Sequence, residues 1–259
     1  MIGEKIPLFC SGTILTKEML DLLREYAMAV GAGSYEGYSD GILNGCAITT
    51  TENSITVNEG MILYKGQIYI IDEPLTHAYY PTNQWMVFKI SFLGVETIDT
   101  CIKKEIRVCV APESENSAND IEICRFKLQN GAKLRKEYKS FLDLTTEYDT
   151  IHEIHAKWAG YEEASISPRI LQRFYEEAVN IPEKETVDLI FLHQIAETRG
   201  NTLNRRTIIL YLSEKLGWEY KDYQNIKIYE GLSESLLKIK TGKNRGGKQE
   251  KRERRIIVD

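Results

Sequence analysis

The chain has 259 residues, 42% of them apolar and 27% charged, with a formal net charge of −5. That size and composition fit one large or two ordinary buried cores and exclude a disordered, collagen-like or helically membrane-spanning chain. From Lys240 to Arg255 eight Lys or Arg stand against two Glu, so an acidic body carries a basic tail. Such a body repels a phosphate backbone, and the tail reads as a docking arm for an acidic neighbour before it reads as a nucleic-acid arm.

Residues 1–12, with MIGEKIPLFCSG, form an extended lead-in without the apolar core of a signal peptide. The five cysteines, Cys10, Cys46, Cys101, Cys109 and Cys124, include no C-x-x-C pair, and four sit in strand-like runs. Reduced thiols in a cytoplasm-made protein are the expectation. TILTKEMLDLLREYAMAVGAG predicts a helix with Thr16 as N-cap and Glu18 in its first turn. Met19, Leu23, Tyr26 and Val30, flanked by Leu20 and Ala27, make an apolar stripe that is expected to pack on a sheet. Gly31 and Gly33 close the helix.

Tyr35 to Pro74 alternates apolar and polar positions and predicts a meander of three short antiparallel strands. Its apolar face is expected to hold Ile55, Val57, Met61, Leu63, Ile68 and Ile70. Asn58-Glu59-Gly60 and Lys65-Gly66 are the turns, and Asp40, Gly41, Gly45, Gly60 and Gly66 are its structural punctuation. Further strands are predicted over Trp85–Phe92, Cys101–Ala111 and Ile121–Leu128. Asn130-Gly131 predicts a type I′ hairpin with Ala132–Tyr138 as the returning strand.

From Asp149 the pattern becomes helical. A short helix is predicted over Thr150–Trp158, and a second starts at Ser167-Pro168 with Ile170, Leu171, Phe174, Tyr175 and Ala178 inside. A third carries Val187, Ile190, Phe191, Gln194 and Ile195, a fourth spans Thr202–Leu216, and a last runs from Asp222 to Ile239. The fold class is therefore α+β: a β-rich scaffold with an N-terminal helix over 1–145, a small helical bundle over 146–239, and a basic extended tail over 240–259.

No motif points to catalysis. His152 and His155 are three apart rather than at the zincin spacing, with His193 as a distant third ligand. Gly31-Ala32-Gly33-Ser34-Tyr35-Glu36-Gly37 has the wrong spacing and the wrong order for a dinucleotide site. Thr241-Gly242-Lys243 lacks the upstream glycines of a phosphate loop. No catalytic residue, metal ligand or cofactor is assigned. The alternatives to a structural part are a nucleic-acid-binding phage accessory protein and a metal-dependent hydrolase using His152 and His155.

SGTILTKEMLDLLREY, EGYSDGILNGCAI, GMILYKGQIYII and KLQNGAKLRKEYKSFLDLTTEYDTIHEIHAKWA together resemble tail- and baseplate-associated proteins of Clostridium-type prophages and phage-tail-like bacteriocins. The resemblance covers most of residues 8–160. Members of that family sometimes carry the label "helicase", yet this chain has neither a phosphate loop nor a DEAD-like box. The resemblance implies a structural baseplate component that links a tail body to fibres or to neighbouring baseplate subunits. It would be made in the bacterial cytoplasm and built in several copies into a symmetric particle, with no membrane and no nucleic acid as partner.

Fifteen tyrosines stand against seven phenylalanines, and tyrosine suits protein interfaces because one end stays wet. Tyr35 and Tyr38 on one edge, and Tyr64 and Tyr69 on an outer strand, are the expected interface positions. In the tail, Arg252, Arg254 and Arg255 are expected to pair with acidic groups, and Ile256, Ile257 and Val258 to add a strand to a neighbour's sheet edge.

Overall fold

The computed structural model describes residues 5–99, 101–117 and 119–242. Arg252, Arg254, Arg255, Ile256, Ile257 and Val258 lie outside the described residues. Helix α1 spans Lys17–Ser34, and the Thr16 hydroxyl accepts from the Met19 N–H at 3.3 Å, as the capping pattern requires. Nine strands follow: β1 (Gly41–Gly45), β2 (Ile48–Thr50), β3 (Ser54–Val57), β4 (Gly60–Tyr64), β5 (Gln67–Ile71), β6 (Leu75–Ala78), β7 (Trp85–Ile98), β8 (Cys101–Pro112) and β9 (Asp120–Lys127). Four more helices complete the chain: α2 (Pro168–Val179), α3 (Thr186–Glu197), α4 (Arg205–Leu216) and α5 (Asn225–Thr241). Helices and antiparallel sheets are segregated along the sequence, which is an α+β fold.

The strands form three antiparallel sheets in the orders β1-β4-β5, β2-β3-β6 and β8-β7-β9. Tyr35–Pro74 is therefore not one three-stranded meander. Its strands divide between two sheets, because β2 and β3 form their own hairpin between β1 and β4. The Lys65-Gly66 turn joins β4 to β5 with φ of 49° and 71°, the positive pair of a type I′ turn. The Asp40 carboxylate accepts from the Lys65 N–H at 2.7 Å and holds that turn.

Gly41, Gly45 and Gly60 are required by close approach. A Cβ at Gly41 would stand 2.6 Å from the Ala159 nitrogen, and one at Gly45 or Gly60 would run into the backbone of Glu59 or Cys46. The space beside Gly41 lets a later segment bridge to β1: Ile42 donates to the Lys157 carbonyl at 2.9 Å and Ala159 donates back to Ile42 at 2.8 Å.

Two hydrophobic cores result. One gathers Ile42, Ile55, Val57, Ile62, Phe88, Ile123 and Phe126 from the sheets. The other gathers Phe141, Phe174, Phe191, Ile208, Leu212 and Leu232 from the helical part. The stretch between them is shared. Leu134, Ile151, Ala156 and Trp158 enter the β core, whereas Phe141, Leu144, Ile154 and Ile166 enter the helical core. Position 145, where the sequence pattern placed a division, falls inside this shared stretch.

Four expectations need correction. The apolar stripe of α1 is not buried on a sheet: the helix has no buried residue and only touches β5 near Gly31 and Ile68. In β5 the inward residues are Tyr69 and Ile71, while Ile70 points out, so the face is the opposite of the one expected. A one-residue offset exchanges the two faces of a strand.

Asn130-Gly131 makes a turn, closed by Ala132 N–H to the Gln129 carbonyl at 3.2 Å, but only Gly131 has positive φ. That is a type II geometry, which splays the flanking chains. Ala132–Tyr138 accordingly forms no return strand, and Arg135 instead bridges Thr150 in parallel. Thr150–Trp158 is not a helix either. It is a bridged, irregular segment in which His152 pairs with Arg125 and a turn at Ile154–His155 is closed by the Ala156 N–H on the Glu153 carbonyl at 3.2 Å.

Candidate functional site

The shared stretch brings together polar side chains that no local motif announced. Ser167 caps α2 by accepting from the Arg169 N–H at 3.3 Å. This start places Arg169 on the side of α2 that faces the β core. The Arg169 guanidinium donates to Glu153 at 2.8 Å and to the Gly45 carbonyl at 2.5 Å, and it lies 5.4 Å from the Trp158 ring centre. One side chain thus ties the first helix of the bundle to the β1–β2 turn and to the crossing segment. Arginine suits this role because its planar fork makes several directed bonds while its face stacks on an aromatic ring.

Beside it lies a cavity of about 500 Å³ lined by Lys136, Tyr138, Glu153, Arg169 and Arg173. Lys136 Nζ donates to the Ile48 carbonyl at 2.5 Å. Burial holds the Lys136 ammonium below its ordinary pKa, with Glu153 opposing the shift. The Tyr138 hydroxyl donates to the Ile151 carbonyl at 2.5 Å, and burial raises its pKa. Arg173 lies over the Tyr138 ring at 4.8 Å. Three cations here meet Glu153 and the more outlying Glu176. Chemically the arrangement can orient an anionic group and lock backbone carbonyls, and it presents no activated nucleophile.

A second clamp closes the other side. Arg205, at the start of α4, donates to Asp222 at 2.6 Å, to Asn225 at 2.6 Å, to the Ala164 carbonyl at 3.0 Å and to the Tyr223 carbonyl. Asn225 in turn donates to the Ala156 carbonyl at 3.0 Å. Between this clamp and the β7–β9 ladder is a polar cleft of about 800 Å³, in which Arg125 is held by Glu122 and Glu113. Sequence periodicity singles out neither Arg169 nor Arg205. Only the long-range placement of Gly45, Ala164 and Tyr223 gives them their carbonyl acceptors.

The expected sites divide. Tyr35 and Tyr38 meet edge to face at 5.5 Å, and Tyr38 meets Tyr161 at 6.2 Å, forming an aromatic edge at the foot of α1. Tyr38 and Tyr161 are exposed there. Tyr64 and Tyr69 are a correction. They are 8% and 6% exposed, packed around Phe92, with Tyr64 stacked on it at 3.8 Å. The inverted face of β5 turns Tyr69 inward, so this pair serves the core and is not an accessible surface.

His152 is buried, with Nε2 2.7 Å from the Thr146 carbonyl and its ring 5.0 Å from Trp85. Burial lowers the pKa of both His152 and His155. Among the described residues no group of three or more His, Cys, Asp or Glu is placed to hold a metal ion. All five cysteines are free. Burial raises the Cys46 thiol to about 12 and pushes the Cys124 thiol up as well, which keeps both as unreactive core residues. No described helix is long and apolar enough to cross a membrane.

No protein-family model matches the chain, and no curated protein matches it. Among solved structures, the chain is similar to TssK at 10% identity, with a TM-score of 0.38, over 93% of this chain and 69% of that one. It is also similar to a chain of the type VI secretion system TssK-TssF-TssG baseplate subcomplex at 7% identity, with a TM-score of 0.39, over 91% of this chain and all of that one.

Proposed function

We propose that the chain is a structural subunit of the baseplate of a phage tail or tail-like particle, joining the tail body to fibres or to neighbouring baseplate subunits. The reading starts from the sequence resemblance over residues 8–160. The observation that supports it best is the pinned junction. Arg169 joins the helical part to the β1–β2 turn through the Gly45 carbonyl, and Arg205 holds Asn225, which donates to the carbonyl of Ala156 in the β core. A connector under mechanical load needs two bodies that do not swing, and buried charge-assisted bonds fix their register. The aromatic edge of Tyr35 and Tyr38 supplies one docking face, and the basic tail with Arg252, Arg254 and Arg255 supplies another.

The experiment is removal of the gene from a particle-producing bacterium, with electron microscopy of what remains. The expected result is tails that lack baseplates or fibres, restored by the full chain and only partly by a chain ending at Gly242. Complete, fibre-bearing particles without the gene would overturn the reading.

A further inference from the structure

The N-terminal arm and α1 leave a run of large apolar side chains exposed. In α1, Leu23, Tyr26 and Val30 are 43%, 61% and 51% exposed, and in the arm Ile6, Leu8 and Ile14 are 71%, 77% and 83% exposed. A single helix of this length is marginal in water and draws its stability from packing of its apolar face. Among the described residues that face buries no side chain, and its main contact is with β5 near Ile68.

We infer that this face is a self-association surface, and that its occupant is the same arm and helix of a second copy of the chain. Three observations choose that occupant. First, Met19, Leu23, Tyr26 and Val30 are spaced four, three and four residues apart. This is the period of 3.5 by which one helix seats its knobs in the holes of an equivalent helix. Leu20, Leu22, Ala27 and Ala29 flank the seam on both sides, so the charges are confined to the far face. Second, the segment is neutral. Lys5, Lys17 and Arg24 balance Glu18, Asp21 and Glu25, with Lys5–Glu18 at 3.6 Å and Arg24–Asp21 at 3.2 Å. A neutral surface steers neither an acidic nor a basic partner and does not repel itself. Third, ten large apolar side chains of arm and helix, from Ile6 to Val30, are each more than 40% exposed, a cluster larger than the singly scattered apolar residues a monomer ordinarily shows.

The inference goes beyond the baseplate reading and stands without it. Its test is the mass of the purified full chain by sedimentation equilibrium, against the L23E/V30E double variant. Neither side chain is part of a core, so the two cores of the variant should unfold cooperatively as in the parent, while α1 alone loses helicity once its face is uncovered. A parent of two or more chains and a monomeric, folded variant are expected. A monomeric parent would assign the face to a different protein and overturn the inference. An undiminished mass in L23E/V30E would also overturn it, by placing the contact between copies elsewhere. A third variant, L210E, changes an exposed leucine of α4; it should keep the parent mass, and its dissociation in place of L23E/V30E would contradict the inference.

Discussion

Helices α1 and α2 share one design in sequence: a hydroxyl cap, an apolar stripe at helical spacing and a polar far side. In α2 the stripe of Ile170, Leu171, Phe174 and Ala178 is buried against its neighbours. In α1 the equivalent stripe has no buried residue among the described residues. The pattern therefore fixes a helix and the side that seeks cover, but not whether the cover belongs to the same chain. The two helices should respond oppositely to damage, and that contrast can be broken at several points.

The largest effects belong to the helical core. Phe174 is fully buried between Phe141, Phe191 and Tyr211. Phe174→Ala is expected to cost about 3–5 kcal/mol, read as a lower urea midpoint. Comparable in size is Lys215→Met. It removes the buried partner 2.8 Å from Asp188, whose other oxygen accepts from Tyr211 at 2.9 Å. An uncompensated buried charge costs about 3–5 kcal/mol, whereas the double variant Asp188→Leu/Lys215→Met should recover much of the loss.

An intermediate effect is expected at the junction. Arg169→Ala leaves Glu153 without its guanidinium and the Gly45 carbonyl without its donor. The expected loss is about 1–3 kcal/mol, with a lower slope of the unfolding curve if the two cores then open in separate steps.

A smaller effect follows from pH. His152 and His155 have folded pKa values below the unfolded value because burial favours the neutral ring. Their contribution is present above the unfolded histidine pKa of about 6.5 and is lost as pH falls from there through the folded values. Urea midpoints should therefore drop between neutral pH and pH ~5. The drop should shrink in His152→Asn/His155→Asn, whatever that variant's stability at neutral pH. An equal drop would assign the pH dependence to other groups.

The smallest effect should lie in α1. Leu23→Ser in dilute protein is expected to move stability by no more than about 0.5 kcal/mol, because the side chain is outside both cores. A loss near that of Phe174→Ala would mean that α1 belongs to the body after all.

What the sequence made legible was local. The Thr16 and Ser167 caps, the Lys65-Gly66 turn and the strands β8 and β9 follow from neighbouring residues and are where the pattern put them, while β7 starts at the expected Trp85 but runs past Phe92 to Ile98. What failed depends on distant chain. Ile151, Ile154 and Trp158 are three and four apart, the spacing of a helix face. They are instead in an irregular segment that runs between the cores and turns at Ile154–His155, so Ile151 and Trp158 enter the β core and Ile154 the helical core. Tyr69 and Ile70 are both good strand residues, and only Phe92, brought in by β7, decides that Tyr69 turns inward. The candidate site was hidden for the same reason. Arg169 is an ordinary first-turn arginine until Glu153 and the Gly45 carbonyl arrive from other elements.

The most direct test of the central contrast is amide hydrogen exchange along the full chain at two protein concentrations. The account predicts that α2 to α5 are equally protected at both, while α1 exchanges fast in dilute protein and becomes protected as concentration rises. Protection of α1 equal to that of α2 at every concentration would contradict it, since that would require the stripe to be covered within one chain.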